Sequence, residues 1–202
     1  MALSKIDVAN MLTGVTPVAN GGTATTSYTA GITVGDNWRQ NGNTSISSGE
    51  NFLTANWERT DQSGAGQIGT ALSQSSGIFT FPSTGIYYVT FELYATLEND
   101  ETSLRSQVST TIDNSSYAVA AYGSVGIQRS SGSYSLTSIA QTLFDVTNTT
   151  NCKVKFGYNA AVAPASSEIK GDTNYNQTHF IAIRLRRLIN GIYRKINREW
   201  HI

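Results

Sequence analysis

Side chains able to do chemistry are few in this 202-residue chain. It has two histidines, His179 and His201, and one cysteine, Cys152. A Ser–His–Asp relay needs an exposed, activated nucleophile, and no GxSxG elbow is present. His179 opens an apolar alternating run, where a histidine reads as a polar strand-end cap before it reads as a general base. Cys152 alternates with Val154 and Phe156 and reads as a small buried hydrophobe. A lone cysteine also excludes an intramolecular disulfide and a cysteine-based zinc site. No HExxH, EF-hand loop, P-loop or GxGxxG occurs. The densest acidic cluster is Glu98, Asp100 and Glu101 in the sequence LENDET. Clustered carboxylate oxygens suit a hard cation such as calcium, although a solvated loop is the plainer account. Trp38, Trp57, Tyr117, Tyr122, Tyr134 and Tyr175 have rings that stack on sugars, but most such rings serve cores and interfaces. The chemistry-bearing residues thus point to no catalytic residue, no cofactor and no enzyme.

The elements that must position these groups follow from composition. Charge is balanced, with 14 basic and 14 acidic side chains. That argues against a generally basic nucleic-acid binder and against an acidic disordered tail. Only 14% of residues are charged, against about 25% in an average soluble domain. The polar load falls instead on 23 Ser, 25 Thr, 16 Asn and 18 Gly. These residues favour turns and strand surfaces over helix interiors. No stretch approaches 18 apolar residues, so no membrane span is expected. The N-terminal MALSKIDVANMLTGV lacks the basic-then-apolar pattern of a signal peptide. The sequons at Asn43, Asn114, Asn148 and Asn176 then read as accidents of an Asn/Ser/Thr-rich chain.

Residues 46–187 read as consecutive short strands. In GIYYVTFELYAT the alternation is clean over Tyr87, Val89, Phe91, Leu93 and Ala95, with a turn at Pro82 and Gly85 preceding it. SLRSQVSTTI, SYAVAAYGSV, YSLTSIAQTLFDV and CKVKFGYNAAV continue the period of two, separated by Asn/Ser/Thr/Gly turns. Many strands without intervening helices imply an antiparallel sandwich or jelly roll. Two strands are apolar on both faces. HFIAIRL carries Phe180 and Ala182 on one face and Ile181, Ile183 and Leu185 on the other. The first strand carries Ile86 and Tyr88 opposite Tyr87, Val89 and Phe91. One face meets the chain's own core, and the other requires a cover. Loops or terminal extensions of the same chain are one possible cover, and subunit association is the favoured one. Ile86, Tyr88, Phe180, Ile181 and Ile183 are the expected interface residues.

The ends differ from the middle. Residues 1–45 hold a short helix signal carrying Ile6, Met11 and Leu12, then a Gly/Thr/Asn-rich extended stretch with little core of its own. They read as a leader that anchors on another chain. At the other end, Leu188, Ile192, Ile196 and Trp200 recur every fourth residue, with Ile189 and Tyr193 beside them. Residues 188–202 therefore read as an amphipathic helix, weakened by Gly191. The last 19 residues hold six of the 14 basic side chains and one acid. Docking on the sandwich, on symmetry-related helices or on an acidic partner is preferred to membrane-surface binding.

Gly77-Ile-Phe-Thr-Phe-Pro-Ser-Thr-Gly-Ile-Tyr-Tyr-Val-Thr-Phe91 resembles the G-x-F-x-x-P-x-x-G-x-Y-x-F signature of the complement C1q-type globular head, a relative of the tumour-necrosis-factor jelly roll. Thr178-His-Phe-Ile-Ala-Ile-Arg-Leu185 looks like the closing strand of such heads. The resemblance covers about residues 50–187 and implies a ten-stranded jelly roll forming a tight trimer, with the inner sheet at the three-fold axis. The chain lacks that family's collagen-like repeat and adds a basic segment after the last strand. Leu12-Thr-Gly-Val-Thr-Pro-Val-Ala-Asn-Gly-Gly-Thr23 is similar to junctions of bacteriophage tail-fibre and appendage proteins, with Ala24 in place of their final glycine. Together the resemblances imply a homotrimeric virion-surface protein. A knob, short fibre or capsid decoration fits better than a long shaft. Its partners would be other virion proteins and a host surface glycan or protein. A cellular C1q-like recognition module and an appendage glycan depolymerase are the alternatives.

Overall fold

The computed structural model describes residues 31–98, 101–127, 132–162 and 166–185. The chain divides into two units, Met1–Gly31 and Ile32–Ile202. The helix expected around Ile6, Met11 and Leu12, and the one expected over Leu188, Ile192, Ile196 and Trp200, fall on residues outside those described.

The strands are β1 Gly35–Gln40, β2 Thr44–Ser45, β3 Gly49–Phe52, β4 Trp57–Arg59, β5 Ser73–Ser75, β6 Ile78–Thr80, β7 Gly85–Leu97, β8 Glu101–Thr111, β9 Ala118–Ile127, β10 Tyr134–Val146, β11 Lys153–Ala160, β12 Glu168–Ile169 and β13 His179–Leu185. All pairings among the named strands are antiparallel and form two sheets. In the first, β10, β7, β13, β1 and β4 lie side by side, and β12 with β2 continues from the far end of β7. The second runs β5-β6-β11-β8-β9, with β3 also paired to β11.

Period-two alternation explains how the sheets meet. In β7 every odd residue from Gly85 to Leu97 is buried and every even one is half-buried. Val154, Phe156 and Tyr158 turn inward from β11, and Leu104 and Val108 from β8. The middle of the core is aromatic. Phe156 stacks on Phe180 with centroids 4.2 Å apart, and Phe79 meets Phe180 edge-on at 4.5 Å. Trp57 and Trp38 close on the same Phe79, each at 5.3 Å. Such tilted and edge-on pairs add to the gain from burial itself. Cys152 is free and fully buried, as its alternation predicts.

β1 lies inside the stretch 1–45 read as a leader, and the structure corrects that boundary. GDNWRQ shows one large apolar residue, Trp38, and otherwise polar side chains. Three of those, Asp36, Arg39 and Gln40, are buried. Asp36 accepts hydrogen bonds from Trp38 Nε1 at 2.9 Å, the Leu72 amide at 2.8 Å and Arg59 Nε at 3.0 Å. Arg39 donates to Glu58 and Asp61 and to the Thr173 carbonyl. Buried charges persist when paired and hydrogen-bonded in this way, and a hydropathy pattern does not reveal such a strand.

The sandwich is pinched shut where β9 meets β10. A Cβ on Gly123 would collide with the Ile139 carbonyl oxygen and lie 2.9 Å from its nitrogen. Ser106 Oγ and Ser138 Oγ, 3.0 Å apart, join the sheets nearby. Backbone cannot move aside as a side chain can, so Gly123→Ala is expected to cost about 1–3 kcal/mol. A lowered denaturation midpoint at constant slope would register it.

Candidate functional site

The outer face of the first sheet carries the residues that the sequence singles out. Register sets them in rows across neighbouring strands. One row runs Asp145, Ile86, Leu185. The next runs Leu143, Tyr88, Ile183 and Gly35, with Ile68 bridged to Gly35. Above these lie Gln141, Thr90, Ile181 and Asn37, then Ile139, Glu92, His179 and Arg39. The face is therefore divided. The half nearest Leu185 is apolar, and the half nearest His179 is polar.

Ile86, Tyr88, Ile181 and Ile183 are half-buried on this face. Phe180, grouped with them in the sequence, is not on it. It is fully buried in the chain's own core against Phe156, because consecutive strand residues point to opposite faces. The sequence analysis missed other members of the apolar area. Leu143 is 63% exposed and Ile68 48%, while Ile139, also 48% exposed, stands among the polar rows. Leu143 and Ile139 are legible in hindsight as the outward set of YSLTSIAQTLFDV. Ile68 gives no sequence signal, since a single bridge positions it.

A second apolar area lies on the pinched edge, where β9 and β10 are the outermost strands of their sheets. Tyr122 on β9 is 63% exposed and Val119 on the same strand 49%, and Tyr134 at the start of β10 is 38% exposed. Of the other aromatics, Trp38 and Trp57 are core residues. Tyr117 is half-buried, its ring 4.3 Å from Lys155 Nζ, which also sits 3.6 Å over Phe52.

Acid–base geometry is sparse. His179 is half-buried with Nδ1 3.1 Å from the Gln177 carbonyl. Glu98 donates its backbone N–H to Ser167 Oγ. Asp100 and the side chain of Glu101 lie outside the described residues. Among those described, no group of three or more His, Cys, Asp or Glu could hold a metal ion. No helix in the described residues is long and apolar enough to cross a membrane.

No family model matches the chain, and no curated protein matches it. Among solved structures it is similar to murine APRIL. The crystal structure at pH 8.0 gives a TM-score of 0.51 at 13% identity, covering 75% of this chain and 98% of that one. At pH 5.0 the TM-score is 0.50 at 10% identity, with the same coverage. The fold is a TNF-like jelly roll.

Within this jelly roll the buried Arg39 sits in a charge network with Glu58 and Asp61. Burial pushes the Glu58 carboxyl up, but hydrogen bonds from Thr173, Asn41 and Arg39, with the charge of Arg39, hold it below its ordinary value. The Asn174 backbone N–H does the same for Asp172. A carboxyl with a depressed folded-state pKa contributes stability above its unfolded pKa, and that stability is lost as pH falls through the folded value. The jelly roll is expected to melt at a constant temperature from pH 7 to about 5 and progressively lower below about pH 4. Glu58→Gln should flatten part of that slope. An unchanged melting temperature down to about pH 2 would contradict the assignment.

Proposed function

We propose that the chain is a non-enzymatic structural protein of a phage-like virion. Three copies form a knob, short fibre or capsid decoration, anchored by their terminal segments, with the jelly roll projecting. The observation that carries this reading is the pair of apolar areas, one on a sheet face and one on a strand edge. A two-fold dimer uses one self-complementary patch on both copies, whereas two different patches make a head-to-tail contact that closes into a ring. The edge of one copy, with Tyr122 and Val119, would lie against the face of the next, with Tyr88, Ile183 and Ile68. A jelly roll of this type repeated three times closes such a ring. The resemblance of residues 12–23 to phage appendage junctions supplies the virion context, and the terminal segments would hold other capsid or tail proteins.

The mechanism is multivalent display. Three linked sites raise avidity for a host surface glycan or protein without a strong single site. Mass spectrometry and a reconstruction of purified particles test the proposal. The chain is expected on the particle, in density of three-fold symmetry. Its absence from particles would favour a cellular recognition module. Cleavage of host polysaccharide by the purified chain would favour a depolymerase.

A further inference from the structure

The chain enters and leaves the jelly roll at one end. The Arg184 amide donates to the Val34 carbonyl at 2.9 Å, Arg184 Nη1 to Thr33 Oγ1 at 2.8 Å, and Gly35 pairs with Ile183. β13 spans seven residues, so its other end stands about 20 Å away. That distant end is built around the loop Lys170–Thr178, sequence KGDTNYNQT.

This loop is closed and braced. The Thr178 amide donates to the Lys170 carbonyl at 3.2 Å, which joins its two ends, and the Asp172 amide donates to the Gln40 carbonyl at 2.9 Å. Gly171 approaches the Gln40–Gly42 backbone so closely that a Cβ would lie 2.8 Å from the Gln40 oxygen. Thr173 Oγ1 donates to Glu58 at 2.7 Å, and the Thr173 carbonyl accepts from the buried Arg39. Gln62 Nε2 donates to the Asn174 carbonyl, and Thr60 Oγ1 bonds Asn176 Oδ1 at 3.0 Å. At the tip Tyr175 remains 54% exposed. Its hydroxyl and its backbone N–H help hold the Asp172 carboxylate in its charged form.

The ring itself is left uncovered by the head, on a loop that is braced around it. Compact closed loops of this kind are frequently functional. Rigid tyrosine with adaptable asparagine is also the chemistry of recognition loops, because little conformational entropy is lost on contact. We propose that the loop Lys170–Thr178 is a saccharide-binding element at the display end, with Tyr175 as the stacking platform for a neutral sugar ring. Asn174, Asn176 and Asp172 supply amide and carboxylate partners for hydroxyl groups. A neutral sugar fits better than an acidic one, because the exposed charges at the tip, Asp172 and Asp61, are carboxylates. The inference rests on the display reading above and names the ligand class and the loop that would meet it.

The test uses the full chain on an array of neutral oligosaccharides, with an acidic oligosaccharide array as control, and repeats it with Tyr175→Ala and Tyr175→Phe. The wild type is expected to bind neutral members. Tyr175→Ala should weaken that binding at least about tenfold at unchanged oligomer mass and melting temperature. Tyr175→Phe, which keeps the ring, should stay within about threefold. Retention of no neutral oligosaccharide, binding to acidic ones alone, or equal binding by Tyr175→Ala would overturn the inference. The particle analysis separates the two failures: a chain found on virions that binds no neutral sugar sinks the loop assignment alone. Sugar binding by a chain absent from virions sinks the virion reading alone.

Discussion

The Ile183→Asp chain is expected to sediment as a single folded subunit where the wild type sediments as three. Ile183 is half-buried in the isolated head, between Tyr88 on β7 and Gly35 on β1. An aspartate there still reaches water in the monomer, so the fold tolerates it. In a ring it would be sealed from water against the neighbour's apolar edge. Burying an unpaired carboxylate costs several kcal/mol, and each of the three contacts carries that cost. At about 1.4 kcal/mol per factor of ten, the loss exceeds about a thousandfold in association. Sedimentation equilibrium with far-ultraviolet circular dichroism checks both halves of the claim. A trimer unaffected by the substitution would remove this face from the interface.

Phe180→Ala, three residues away on the same strand, should do the opposite. Its ring is fully buried against Phe156, Phe79 and Trp57, with centroids 4.2, 4.5 and 5.5 Å away. Truncation forfeits the transfer energy of the ring and leaves a cavity that two sheets cannot collapse around, costing about 3–5 kcal/mol. That is a large share of the roughly 5–15 kcal/mol that holds a domain folded. Urea denaturation should show the midpoint fall steeply, with dissociation following only as a consequence of unfolding. A midpoint within experimental scatter of the wild type would place Phe180 outside the shared aromatic core.

The contrast between these two positions also marks how far the sequence was legible. Alternation in GIYYVTFEL and HFIAIRL identified β7 and β13, their two apolar faces and the all-β sandwich. It did not choose which face turned inward for Phe180, because both faces are apolar and only the opposing sheet decides. β1 carries no legible strand pattern, since its burial rests on Asp36 and Arg39, whose partners Leu72, Glu58 and Asp61 are remote in sequence. The edge patch went unnoticed for a related reason. Tyr122 and Val119 lie on β9, and what sets them on an edge shared with β10 is the close backbone approach at Gly123. Tyr175 was visible as an aromatic with sugar-stacking chemistry, but its bracing by Gln40, Glu58 and Gln62 depends on contacts that span more than a hundred residues.

The hydrogen bond between Arg184 and Val34 has a practical corollary. Because the first and last described strands run antiparallel as neighbours, the points of entry and exit stand only about 5 Å apart. A unit with such closely spaced ends is a ready guest for insertion, since a host loop opened at one peptide bond can take it in without being stretched. Recombination can therefore move it as a cassette between unrelated stems, and a protein engineer can graft it in the same way.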